Sequence, residues 1–79
     1  MAMQTYTTED VHAELVRRVE AGTYKSVGDE LGCSYQHVFD LVIKRRSITG
    51  NVARGLGFVA LPKAYVRVED YEAEQANDS

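Results

Sequence analysis

The residues best suited to chemistry form a block of positive charge in the second half of the chain. From Leu41 to Val68 every charged residue is basic: Lys44, Arg45, Arg46, Arg54, Lys63 and Arg67. Lysine and arginine side chains neutralise phosphate groups and carry most of the affinity of proteins for nucleic acids. The block therefore indicates a surface on which a phosphate could dock.

The charge of the whole chain hides this block. The 79 residues have a net charge of −3, which taken alone argues against a nucleic-acid partner. Between Val11 and Glu69, however, nine basic residues outnumber six acidic ones, and the other six acids lie near the two ends. Salt screens charges beyond roughly 8–10 Å, so the local excess matters more to a docked phosphate than the sum.

Catalytic and metal-binding patterns are missing from the sequence. The adjacent acids Glu9–Asp10 and Asp29–Glu30 are predicted to lie on helices, where neighbouring side chains do not face each other. Cys33 has no metal-ligand spacing with His12 or His37, and we interpret it as a core thiol. With no nucleophile–base pair or glycine-rich phosphate loop, we expect neither an enzyme nor a cofactor or metal site.

A short helix is predicted over Tyr24–Leu31. Val27 and Leu31 stand four residues apart and share one face of it. Thr23 can cap its start, and Gly32 can take the positive φ that ends it. We interpret this helix as the first half of a helix-turn-helix.

A second helix is predicted over Tyr35–Lys44, and the basic block begins at its end. Ser34 is a good N-cap, and Val38 and Leu41 lie on the buried face. Gly28 in the preceding helix lets the second helix cross it closely, as such a two-helix unit requires.

The remaining elements complete a mostly α, four-helix domain with a short C-terminal β-strand or hairpin. Thr7 is predicted to cap a first helix that runs to about Ala21, with Asp10 completing a weak capping box. A further helix is predicted over Gly50–Leu56, and a strand over Ala64–Glu69. That strand needs a partner, either residues 58–61 or its twin in a second subunit.

The domain is predicted to span residues 7–69, between a flexible lead-in (1–6) and an acidic, disordered tail (70–79). One cysteine cannot form an internal disulfide, and neither a signal peptide nor a membrane-spanning apolar run is present. We therefore expect a cytoplasmic protein that does not enter a membrane.

Residues 22–69 resemble the Cro/CI-type (lambda-repressor-like) helix-turn-helix proteins, and small phage and prophage regulators most of all. The matching residues are Gly22, Val27, Gly28, Glu30, Leu31, Gly32, Ser34, Gln36, Val38, Asp40, Leu41, Arg45, Arg46, Leu56, Gly57 and Phe58. The match covers about two-thirds of the chain. It implies a homodimeric transcription regulator that binds a short palindromic operator in double-stranded DNA.

Carried over position by position, the resemblance places several residues of the second helix against base edges. Gln36 could contact adenine through two hydrogen bonds, or be a solvated helix residue. Tyr35 could stack on sugar or a thymine methyl, or be a half-buried aromatic at the helix start. Asp40 could accept from cytosine, or pair with one of the arginines that follow. His37 could face DNA or solvent, and Phe39 adds an unusual apolar edge.

The phosphate contacts are assigned to residues at two helix ends. Lys44, Arg45 and Arg46 directly follow the second helix, and Thr23 and Tyr24 open the first, where amides and the helix dipole suit an anion. The resemblance usually includes a glycine near position 44. Its absence predicts that the helix runs one turn further before it bends.

The strand is predicted to build a homodimer. Tyr65, Val66 and Val68 would pair with their two-fold mates, removing an exposed edge and setting two recognition helices roughly 34 Å apart. An intrachain hairpin in a monomer is the alternative.

Together these observations predict a repressor-like DNA-binding regulator of phage or prophage origin. The rival hypothesis is the same scaffold used as a protein-interaction module, such as a phage inhibitor of a host nucleic-acid enzyme or an antitoxin. Several features favour that rival: Phe39, Ile43 and Asp40 on the second helix, the acidic tail and the net charge of −3.

Overall fold

The computed structural model describes the backbone of residues 4–77 and the side chains of residues 4–73. It is mostly helical, with a small two-stranded antiparallel sheet. In chain order the elements are α1 (Thr8–Ala21), α2 (Tyr24–Leu31), α3 (Tyr35–Val42), α4 (Gly50–Gly55), β1 (Phe58–Ala60), β2 (Tyr65–Arg67) and α5 (Val68–Asn77). In the described part of the chain, no helix has the length and apolar character needed to cross a membrane.

The core is a single cluster to which α1, α2, α3, α4 and β1 all contribute. Its buried members are Val11, Leu15, Val27, Val38, Leu41, Val52, Ala53, Leu56 and Phe58. The predicted inward residues of the helices therefore meet in one place. This packing fixes the exposed sides of α2 and α3 as well as the buried ones.

The helix starts agree closely with those predicted from the sequence. At each of these starts, a side chain accepts a hydrogen bond from a backbone amide of the first turn that has no partner within the helix. Thr7 and Asp10 form the predicted capping box of α1, and Thr49 caps α4. Such caps contribute about 1 kcal/mol each. They explain why local sequence was enough to place these boundaries.

The strand finds its partner within the chain. Phe58–Ala60 pairs antiparallel with Tyr65–Arg67, with Val59 opposite Val66. On the other side of β2, Tyr6 and Tyr65 exchange two backbone hydrogen bonds of 2.7 and 2.8 Å. The lead-in expected to be flexible is therefore tied to the sheet at Tyr6, while residues 1–3 lie outside the described part.

This arrangement corrects the predicted dimer contact. Val66 is fully buried in the chain's own core, and both sides of β2 are occupied at Tyr65. Val68 is not in the strand but begins α5, with its amide donating to Gly57 at 2.9 Å. A second copy has no open β2 edge to join at these residues.

The C-terminal segment also differs from the prediction of a disordered tail. Residues up to Asn77 form α5, directly continuous with β2, and residues 78–79 lie outside the described part. Glu69 and Asp70 occupy the first turn, where negative charge is favoured by the helix dipole. The scarcity of apolar residues predicted disorder, whereas these acidic residues favour the start of a helix.

Candidate nucleic-acid interface

The positions of α2 and α3 depend on a tight three-residue connection, residues 32–34. Gly32 ends α2 in the left-handed conformation with φ of 74°, and Ser34 caps α3 by accepting from the amide of His37. A Cβ on Gly28 would lie 2.6 Å from the carbonyl oxygen of Cys33. The glycine is therefore what allows the connection to pass so close to α2, whereas the sequence predicted that it would admit the second helix itself.

One side of α3 is exposed and largely apolar. Tyr35, Phe39 and Ile43, spaced four residues apart, are 62%, 39% and 47% exposed. Tyr35 is therefore not the half-buried aromatic of the alternative interpretation. The Phe39 ring packs edge-on against Tyr24 at the start of α2, with ring centroids 5.7 Å apart, so this face has a fixed shape.

Asp40 lies behind this face. It is only 7% exposed, and its carboxylate accepts from Gln36 Nε2 and from Arg46 Nε, each at 3.4 Å. Of the two interpretations drawn from the sequence, the structure contains the one in which Asp40 pairs with an arginine. Gln36 itself is exposed on the first turn of α3, as a base contact would require.

The end of α3 differs from the prediction. The helix stops at Val42 and does not run on to Lys44, which instead adopts a left-handed φ of 65°. The Arg45 amide donates to the Asp40 carbonyl at 2.8 Å, and the Lys44 amide donates to Leu41 at 3.2 Å. These two bonds form a Schellman motif, so Lys44 takes the place where glycine is usual.

The three cations after α3 are exposed but differ in their partners. Lys44 lies 3.3 Å from Glu9, and Arg46 lies 3.4 Å from Asp40. Arg45 forms no ion pair with any residue that the structure describes. Arg45 is therefore the cation of this cluster that is most available to a phosphate.

The start of α2 adjoins the same face through the contact of Tyr24 with Phe39. The Thr23 side chain accepts from the Ser26 amide at 3.0 Å, and Ser26 Oγ accepts from the Thr23 amide at 2.9 Å. This reciprocal pair makes Thr23 a structural cap. Its hydroxyl is engaged, and any anion at this end would meet the amides of Tyr24 and Lys25.

Sequence reasoning missed the role of His12. Its Nε2 lies 2.9 Å from the carbonyl oxygen of Val42 and 3.2 Å from that of Leu41. The imidazole of this α1 residue is thus joined to the last turn of α3. The only signal was its place beside Val11 on the buried stripe of α1. This contact holds the end of α3 against α1, and with it the bend formed by Lys44, Arg45 and Arg46, the cationic bend.

The remaining polar candidates are less involved. His37 is half-buried and so does not simply face solvent. Cys33 is half-buried against the core, and burial raises the pKa of its thiol, which keeps it protonated at neutral pH. No group of three or more metal-ligating side chains comes together among the described residues.

Comparison of the chain with known protein families, with proteins of described function and with solved structures finds no match.

Proposed function

We propose that the chain is a sequence-specific double-stranded DNA-binding regulator of the repressor type, from a phage or prophage. In this proposal α2, the connection 32–34 and α3 form a helix-turn-helix, and α3 enters the major groove. The supporting observation is the placement of Gln36 and Phe39 on the exposed side of α3, between the cationic bend at one end and the start of α2 at the other. The protein acts by binding, not by catalysis.

The shape of the two-helix unit supports this proposal. The close contact at Gly28 fixes how far α3 stands out from α2, and the cap at Ser34 fixes where α3 begins. A recognition helix must present the residues after its cap to base edges. Tyr35 and Gln36 occupy those positions and are exposed.

Charge supports the same orientation. Arg45 follows α3 without an internal ion pair among the described residues, and Lys44 has an exposed partner that a phosphate could replace at little cost. The Tyr24 and Lys25 amides would hold a second phosphate at the start of α2. Contacts at both ends would set the register of α3 in the groove.

The regulatory step would be occupancy of an operator that overlaps a promoter, which blocks the polymerase. A homodimer on a palindromic site remains part of the proposal. Because Val66 is buried and Tyr65 is paired on both sides, the dimer contact must use a surface other than the one predicted at these residues. Sedimentation of the protein with and without DNA would measure the number of copies bound.

The test is a gel-shift titration on the DNA upstream of the gene, at two salt concentrations, against a scrambled duplex. We expect selective binding that weakens steeply with salt. Gln36→Ala should lower affinity for the specific duplex by about tenfold or more. Arg45→Ala should weaken binding to both duplexes and reduce the salt slope by about one.

Arg67→Gln is the matched control, because it removes the same charge from the hairpin, where the guanidinium lies over the Tyr6 ring. It should leave affinity and salt slope nearly unchanged. Specific affinity that survives both Gln36→Ala and Arg45→Ala would contradict the proposal.

A second candidate is a protein-interaction module built on the same scaffold. The exposed apolar row of Tyr35, Phe39 and Ile43 favours it, because such a row also suits a protein partner. An apolar interface should depend little on salt, whereas DNA binding should depend on it strongly. The same titration therefore separates the two candidates.

A further inference from the structure

The side chains that α3 leaves exposed belong to an unusual set for a helix in the major groove. Three exposed side chains, Tyr35, Phe39 and Ile43, are apolar over most of their surface. Among the described residues of α3, Gln36 carries the one carboxamide on this face. The acid of the helix, Asp40, is buried behind them. Any sequence preference must come from these exposed groups.

Apolar groups find one apolar partner in the major groove, the C5 methyl of thymine. Phe39 is well placed for such a contact, because its ring is held edge-on against Tyr24 and still remains 39% exposed. Ile43 lies one turn further along the same side. The two side chains belong to the exposed apolar row, which duplex DNA rich in thymine would match.

The positive charges on either side of this row favour duplex DNA as the partner that binds it. Arg45 and Lys44 follow Ile43 directly, and Lys25 stands beside Tyr24 at the other end of the face. All three cations are exposed. A row of apolar side chains between cations complements a groove floor of methyl groups between two phosphate backbones.

Asp40 selects which atom of Gln36 faces outward. A carboxylate accepts hydrogen bonds and cannot donate them, so it holds the amide nitrogen Nε2, at 3.4 Å from Oδ1. The amide oxygen is then left to accept from an amino group in the groove. Adenine N6 and cytosine N4 both offer one, and the thymine methyl contacts favour the A·T pair. Guanine presents two acceptors on this edge, N7 and O6, and would be disfavoured by that oxygen.

Guanine is most often contacted by arginine or lysine. All three basic side chains near the end of α3 lie beyond its last residue; Arg46 is also held by Asp40, and Lys44 is paired with Glu9. We therefore propose that α3 selects A·T-rich half-sites, with Phe39 and Ile43 on thymine methyl groups and Gln36 on adenine. This inference rests on the proposed DNA-binding function and adds its base preference.

The experiment starts with selection of the full-length protein on a random duplex library. We expect half-sites with a run of A·T pairs. Each thymine of the selected site is then replaced singly by deoxyuridine, which lacks the methyl group and keeps the pairing edge. Loss of a contacted methyl should lower affinity about fourfold.

Protein variants assign the contact. At one replaced position, Phe39→Ala should bind the thymine and deoxyuridine duplexes with equal affinity. Ile43→Ala should lose the same distinction at a neighbouring position. Asp40→Asn should relax the discrimination of adenine against guanine, because an amide can hold either end of Gln36. Asp40 is a positioning residue in this proposal, and base preference is a readout that a purely structural role would not move.

The outcomes are distinguishable. A selected site with a G·C core, or an A·T site indifferent to deoxyuridine in the wild-type protein, would overturn the inference and leave DNA binding intact. Failure to select any sequence would remove both the inference and the proposed function. The wild-type deoxyuridine series does not depend on any variant folding.

Discussion

At the scale of single residues, Lys44 is held in a conformation that its side chain disfavours. Its φ of 65° costs a non-glycine residue roughly 1–2 kcal/mol, and the Schellman bonds of Lys44 and Arg45 hold it there. A lysine at this position supplies a cation directly beside α3. Compared with glycine, Lys44 therefore lowers the free energy of unfolding but adds a positive charge at the proposed phosphate site.

Lys44→Gly should therefore raise the free energy of unfolding relative to Lys44→Ala by about 1 kcal/mol. Both variants lose the same charge and the same exposed contact with Glu9, so their difference isolates the backbone strain. Urea unfolding of the two proteins measures it. Equal midpoints would show that the strain is not present.

Gly28 shows the opposite case, a residue that tolerates no side chain. A Cβ there would meet backbone atoms of Cys33 and Ser34 at 2.6 and 3.3 Å. Gly28→Ala should cost about 1–3 kcal/mol by overpacking. Gly50→Ala is the control: a Cβ there meets nothing within 4 Å, so thermal unfolding should show no loss or a small gain.

At the scale of elements, α1 and α4 are joined through Glu14 and Arg18. Arg18 donates to the carbonyls of Gly55 and Leu56 at 3.2 and 3.3 Å, at the end of α4. Glu14 holds Arg18 at 2.9 Å and Arg17 at 2.7 Å. Hydrogen bonds from Arg17 and then Arg18 lower the pKa of Glu14, although partial burial opposes them.

A carboxyl group whose pKa is lowered by folding stabilises the native state above its unfolded pKa. That stabilisation is lost as the pH falls through the lowered value. Glu14→Gln should therefore reduce the free energy of unfolding at pH 7, by less than about 1 kcal/mol because Arg17 is largely exposed. The gap to wild type should close below roughly pH 4.

Urea unfolding across that pH range checks this prediction. Glu20→Gln removes a carboxylate from the same helix that is in no ion pair among the described residues, so it should reduce the free energy of unfolding at pH 7 by less than Glu14→Gln does. A constant gap for Glu14→Gln would mean that the carboxylate charge is not what matters.

The elements also show what sequence could and could not predict. The starts of α1, α2, α3 and α4 were placed correctly, because each is marked by a local cap. The predicted end of α3 at Lys44 was wrong, because nothing in the local sequence indicates that this lysine adopts the left-handed conformation. The pairing of Tyr6 and the contact of His12 join distant residues, so periodicity and capping could not reveal them.

At the scale of the whole molecule, the face proposed to bind DNA is cationic while the chain is not. At long distances a polyanion experiences the net charge of the whole protein, and a net charge of −3 opposes its approach. Affinity would then arise after contact, from Arg45 and the exposed face of α3. The acids of α5, such as Asp70 and Glu72, contribute to that opposing field.

The double variant Asp70→Asn/Glu72→Gln should raise the association rate with duplex DNA at low salt and leave the dissociation rate unchanged. Stopped-flow measurements at low and high salt check this, because screening should abolish the gain. A change confined to dissociation would instead place these acids in direct contact with DNA.

The bond between Tyr6 and Tyr65 gives the N-terminus an uncommon part in folding. It joins residues 59 positions apart, so the loop it closes spans about three quarters of the chain and its formation should come late. Termini usually exchange their amide hydrogens quickly. The Tyr6 amide, whose 2.7 Å bond exists only when α1 and the hairpin are assembled, should instead exchange nearly as slowly as the core, making it a single-residue reporter of global unfolding.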